Sequence, residues 1–125
     1  MDNDLLELKF EIPLPPVTKK NSQRIIAAHG RPCIIPSSQY KRYEKAAAAW
    51  CPPVGIDYAV NVAAVFYMPT RRRCDLTNLM EALHDVLVKC GTIADDNFLI
   101  IAGVDGSRVA YDKDKPRTEV RITRI

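Results

Sequence analysis

A chain of 125 residues, 47% hydrophobic and 26% charged, has room for one hydrophobic core and little more, which argues against a multidomain or largely disordered protein. No apolar run approaches the ~20 residues that span a bilayer. The acidic start Met1-Asp2-Asn3-Asp4 is wrong for a secretory or mitochondrial presequence, so the cytoplasm is the expected location, and a net charge of +3 does not by itself demand a polyanionic partner.

Leu8, Phe10 and Ile12 alternate with Lys9 and Glu11, the period-two pattern of a half-buried strand, and Pro13, Pro15 and Pro16 end it. The loop from Pro15 to Ser22 joins a proline-stiffened backbone to Lys19, Lys20, Asn21 and Ser22. That set suits donors presented to a phosphate backbone, and equally a plain surface connection. Ile25-Ile26 and Cys33-Ile34-Ile35, separated by Gly30 and Pro32, predict a short hairpin. Pro36-Ser37-Ser38 offers a helix start, and Gln39 to Trp50 carries Tyr40, Tyr43 and an alanine run at helical spacing until Pro52-Pro53 forbids continuation.

Tyr58 to Met68, rich in Val, Ala, Phe and Tyr, predicts a central strand that ends at Pro69. The second helix is the clearest element. At about 100° per residue, Leu76, Leu79, Met80, Leu83, Val86, Leu87 and Cys90 share an arc of roughly 120°, with Asn78, Glu81 and Asp85 opposite and Gly91 as the stop. Phe98 to Val104 reads as another apolar strand and Glu119 to Ile125 as an alternating one. Asp105-Gly106-Ser107 and Asp112 to Pro116 read as turns or a loop.

Charge is unevenly placed along this order. From Lys19 to Lys45 the basic residues face Glu44 alone; from Asp75 to Asp105 the acidic residues face Lys89 alone. Either run by itself is an ordinary solvated face. Together, with Arg71, Arg72 and Arg73 at the seam, they suggest a basic surface for a polyanion beside an acidic pocket for a cation. Cys33, Cys51, Cys74 and Cys90 form no C-x-x-C pair and read as reduced thiols, at least two of them in the core, and His29 and His84 lack a partner at ligand spacing.

A phosphodiester repels an incoming water, and hard divalent cations held by carboxylates overcome that repulsion. Asp75 at a helix start, with Asp95-Asp96-Asn97 about twenty residues later, makes a minimal Mg²⁺ site. Asp75 and Asp96 are the chosen pair, with Asp95 the second candidate. The same residues also suit a helix N-cap and an ordinary turn, and spacing alone does not decide between the two. The three arginines suit phosphate contact because a guanidinium forks onto oxygens, although alternation at a strand end turns only some of them toward DNA. Tyr40 and Tyr43 are assigned to core packing before base stacking.

In order, the Pro15 to Ser22 loop, Met68-Pro69, the arginines leading into Asp75-Leu76-x-Asn78-Leu79, and Gly91 before Asp95-Asp96 resemble the RusA family of Holliday junction resolvases of bacteria and their phages. The resemblance implies an α+β fold, one domain over residues 1–125, with a mixed sheet packed against two main helices. It also implies a homodimer, Mg²⁺ with Mn²⁺ as substitute, and paired nicks across a four-way DNA junction in recombination and repair. No membrane partner is expected. Carried over by position, Asp75 and Asp96 are metal-binding catalytic carboxylates, Asn78 supports them, and Lys19, Lys20 and Arg71 to Arg73 are DNA contacts. Thr77 stands where the family pattern has a second aspartate, and Glu81 where it has a lysine. Glu81, near Asn78 on the helix, is a candidate replacement carboxylate, which leaves the positive charge to Lys19, Lys20 or an arginine. Two other readings stay open: a branched-DNA binding protein of the same fold with impaired catalysis, and a small interaction module whose charges are surface dressing.

Overall fold

Strand β1 (Glu7–Ile12) shows how alternation becomes a layer: Glu7, Lys9 and Glu11 are exposed, Leu8 and Phe10 half-buried, and Ile12 fully buried. In this computed structural model the described residues are 7–19, 23–28, 31–36 and 38–125, with 23–28 and 31–36 described as backbone. The remaining elements are β2 (Gln23–Ala28), β3 (Arg31–Pro36), α1 (Ser38–Ala48), β4 (Val60–Met68), α2 (Leu76–Lys89), β5 (Ile101–Gly103), β6 (Arg108–Tyr111) and β7 (Arg117–Arg124). The fold is α+β, as expected.

The main sheet is mixed and five-stranded, in the order β1-β7-β4, with β5 and β6 sharing the far edge of β4. The β1–β7 and β7–β4 pairs are antiparallel, whereas β5 and β6 both run parallel to β4. One face carries Val60, Val62, Ala64 and Phe66 of β4 and Thr118, Val120 and Ile122 of β7 into the interior. Tyr40, Tyr43 and Ala47 of α1 join the same core with Leu79, Met80, Leu83, Val86 and Leu87 of α2; of the apolar arc read from the sequence, Leu76 and Cys90 pack only partly against it, and Ala82, outside that arc, is buried as well. Tyr40 and Tyr43 are therefore core residues, and the Tyr40 hydroxyl donates to the Ala82 carbonyl at 3.3 Å. The hairpin read near Ile25 and Cys33 is present as β2 and β3, paired from Gln23–Pro36 to Ala28–Arg31; His29 and Gly30 lie outside the described residues.

Helix α2 ends at Gly91, whose φ of +81° favours a residue without Cβ, and the Thr92 amide returns to the Leu87 carbonyl at 3.0 Å. Cys51 is buried while Cys74 and Cys90 pack partly against the core, all three as free thiols; the Cys33 side chain is outside the description. Among the described residues no helix is long and apolar enough to cross a membrane.

Two elements differ from the sequence reading. The strand expected from Phe98 to Val104 is ordered as a strand only over Ile101–Gly103, because Asn97 turns the chain first. Its carbonyl accepts from the Ile100 and Ile101 amides at 3.0 and 2.9 Å, and its Oδ1 accepts from the Leu99 amide at 2.9 Å. Strand β6, in a stretch that carries no strand pattern, pairs with residues 65–68 of β4. Between β5 and β6 the edge of β4 is closed by side chains: Ser107 Oγ accepts from the Ala64 amide at 3.1 Å and donates to the Val62 carbonyl at 3.3 Å. Asn61 exchanges two bonds with the Asp105 backbone, 3.0 and 2.8 Å, so the interrupted ladder leaves few polar groups unmet.

Candidate active site

Strand β4 delivers the chain through Met68-Pro69-Thr70 to the arginines and then to Asp75, immediately before α2. Asp75 has the extended backbone of a helix-preceding residue (φ −98°, ψ 129°), and its carbonyl accepts from the Leu79 amide at 3.2 Å. Its side chain caps no backbone amide. Instead, Oδ2 accepts from Asn78 Nδ2 at 3.3 Å, one helical turn on, so the carboxylate is exposed and steadied by a neutral amide. Asp75 thus occupies the N-cap position of α2 without spending its carboxylate on a backbone amide. Thr77 and Glu81 are also exposed on this helix.

The second carboxylate group follows Ile93, which is bridged in parallel to Ile56. Here the two adjacent aspartates differ. Asp95 is committed to the turn: Oδ1 accepts from the Asp96 amide at 2.7 Å and Oδ2 from Asn97 Nδ2 at 3.1 Å. The Asp96 carboxylate accepts no hydrogen bond from the described residues and lies open, close enough to His84 to act on its charge. Burial pushes the His84 imidazole below its ordinary 6.5, against the opposing pull of Asp96 and Asp85, and Nε2 is buried without a partner among the described residues.

Asp96 lines a cleft between α1 and α2 together with Lys19, Tyr40, Lys41, Glu44, Asp85 and Lys89. Lys19 Nζ meets Asp85 Oδ2 at 2.6 Å, with both side chains about 30% exposed, and lies 5.9 Å from the Tyr40 ring centre. The hydrogen bond to Asp85 raises the Lys19 ammonium above its ordinary 10.5, with Glu81 and Glu44 adding attraction. On the other wall, Lys89 meets Glu44 at 3.1 Å. The single acid of the basic segment thus pairs with the single base of the acidic one. Basic and acidic territories, separate along the chain, are interlocked in space.

The arginines are exposed, and all three line one cleft with Met68, Thr70, Val109 and Tyr111. The Arg71 guanidinium stacks on the Tyr111 ring at 4.2 Å, while Arg72 and Arg73 also line a second cleft with Pro16, Thr18, Gln39 and Thr70. Lys20 lies outside the described residues.

The structure thus places Asp75 with Asn78 at the start of α2, and Asp96 beside the third turn of the same helix near His84 and Asp85. Asp75 and Asp85 are separated by about 15 Å of helix axis at 1.5 Å per residue. Among the described residues no three His, Cys, Asp or Glu side chains converge as a ready cation site. Asp75 and Asp96 each offer carboxylate oxygens free of backbone bonds, the donor type that a hard cation with several waters takes, but beside different turns of α2 and not as a converged pair. Tyr111 could not be singled out from sequence because its strand carries no pattern. Asp85 was legible on the polar side of α2, but its lysine partner was not.

Residues 13–123 match the model of the family described as Endodeoxyribonuclease RusA. A curated relative, the crossover junction endodeoxyribonuclease RusA of Aquifex aeolicus (strain VF5), is 39% identical over 44 residues. That stretch covers 35% of this chain and 35% of the relative, so the match spans about a third of each.

Proposed function

We propose, for a chain that belongs to the RusA endodeoxyribonuclease family, that it is a metal-dependent, structure-selective endonuclease. Its substrate is the four-way DNA junction, cut by paired phosphodiester hydrolysis, with Mg²⁺ as the cation and Mn²⁺ as a substitute. The observation that carries this reading is the pair of uncommitted carboxylates, Asp75 and Asp96, each neighbouring a carboxamide or imidazole and each free of backbone capping.

In this mechanism Asp75, from the start of α2, and Asp96, from beside its third turn, would offer carboxylate oxygens to a cation, which would supply charge neutralisation at the phosphoryl group and an activated water. Asn78 keeps the Asp75 carboxylate oriented through its 3.3 Å bond. Arg72 and Arg73 fork onto flanking phosphates, and Arg71, braced on Tyr111, adds a third guanidinium at the strand end. Lys19 contributes its charge beside Glu81 and Asp85, inside the cleft that Asp96 lines. A homodimer would set two equivalent sites on a two-fold junction.

The test is cleavage of a synthetic four-way junction with Mg²⁺, Mn²⁺ or EDTA beside a linear duplex. Asp75→Asn and Asp96→Asn are each expected to lower cutting by roughly 100-fold or more, the upper end of effects seen for residues that only support a metal, with junction binding retained. If both variants still cut, the site assignment fails.

Thr77 and Glu81 favour a second reading, a branched-DNA binding protein with impaired catalysis, because neither brings a further carboxylate into a converged cluster among the described residues. Junction binding without cutting in any cation, and cutting gained by Thr77→Asp, would select it.

A further inference from the structure

The turn that carries Asp95 and Asp96 ends in an apolar tip. Phe98 is 79% exposed, more than any other large hydrophobic among the described residues, and its neighbour Leu99 is 66% exposed. Single exposed hydrophobics are ordinary on a protein surface, but here two are adjacent and held out by a braced backbone. On one side are the Asp95 bonds to the Asp96 amide and the Asn97 side chain. On the other, Ile100 is buried at 7% and its carbonyl accepts from the Val60 amide at 2.8 Å, which locks the turn to the central strand. The turn therefore buries Ile100 and presents Phe98.

We propose that Phe98, flanked by Leu99, is a wedge that stacks on a DNA base unstacked at the branch point while Asp96, two residues away, faces the adjoining phosphodiester. This rests on the nuclease reading above and names what the site recognises. The tip is too small for a protein partner: an aromatic side chain contributes at most about 250 Å², and with a leucine it falls well short of the roughly 800 Å² that each side of a stable interface buries. It matches the face of a nucleobase. The preceding residues Asp95, Asp96 and Asn97 are exposed and polar, two of them anionic, so the backbone phosphates are repelled from this turn unless a cation intervenes. A neutral base face is the part of DNA the tip accepts, and bases are unstacked at a branch at lower cost than within a duplex.

The experiment uses the full chain and a four-way junction carrying 2-aminopurine at the branch. In an Asp75→Asn background, which keeps the DNA uncut, binding should change the 2-aminopurine fluorescence, and adding Phe98→Ala should abolish most of that change. With Asp75 intact, Phe98→Ala should lower junction kcat by about tenfold or more, leave linear-duplex affinity unaltered, and be rescued by Phe98→Trp. Equal cutting and equal fluorescence in Phe98→Ala would overturn the wedge. So would a shift in the sedimentation of the DNA-free variant, which would make the tip a protein interface. If wild-type protein cuts no branched DNA, the nuclease reading fails and takes the wedge with it; if wild type cuts and Phe98→Ala matches it, the wedge alone fails.

Discussion

Asp95 and Asp96 are chemically identical neighbours with opposite duties, and the direction of two hydrogen bonds separates them. Both Asp95 oxygens hold the turn, at 2.7 and 3.1 Å, while Asp96 makes no such bond among the described residues. Asp95→Ala should therefore lower stability by about 1 kcal/mol, the ordinary net value of a lost hydrogen bond. Asp96→Ala should stay within about 0.5 kcal/mol of wild type, as for a surface position without special bonds. Urea unfolding of the two variants checks this, and equal losses would mean that the carboxylates share the structural task. The sequence made Asp75, Asn78, Asp95 and Asp96 legible as a set because their residue types and order are chemical information. It did not say which aspartate the turn consumes, since Asp-Asp-Asn admits either.

At the scale of elements, β7 and the turn before it are organised by Arg117. Its guanidinium reaches Asp112 at 2.8 Å, Glu119 at 3.1 Å and Glu11 at 3.3 Å, and lies 3.8 Å from the Tyr67 ring centre, so one side chain ties the turn, β1, β7 and β4 together. The Arg117 bond, followed by the Lys115 amide, holds the Asp112 carboxyl below its ordinary 3.8. A carboxyl lowered in the folded state contributes stability that is complete above its unfolded value and is lost as pH falls through the folded one. Urea midpoints should therefore decline below about pH 3.8, and Arg117→Gln should flatten that decline. An identical acid limb in the variant would remove Asp112 from the account. The same scale shows why Phe98 to Val104 misled: an apolar run records hydrophobicity but not direction, and Asn97 bends the backbone before pairing begins. Strand β6 was illegible for the complementary reason, because edge residues Arg108, Val109 and Tyr111 are exposed and need no alternation.

For the whole molecule, the packing of α1 on α2 decides which charges remain for a partner. Lys19 is held by Asp85 and Lys89 by Glu44, whereas Arg72 and Arg73 face open clefts. Each phosphate contact contributes about one unit to the slope of log affinity against log salt concentration. Arg72→Gln should therefore reduce that slope for junction DNA by about one, and Lys19→Gln should reduce it by much less. A full unit lost on removing Lys19 would place that ammonium on DNA, at the expense of Asp85. The sequence by itself determined the period-two strands at β1 and β7, the apolar strand at β4, the apolar arc of α2, its glycine stop, and the family, because periodicity, apolar runs and motif order are local properties written in consecutive residues. Only the tertiary structure decided that Glu44 meets Lys89, that Asp85 takes Lys19, that Tyr111 lies under Arg71, and that Phe98 points outward. Those outcomes depend on which surfaces the core brings together across dozens of residues, and one chain read in order carries no distance between them.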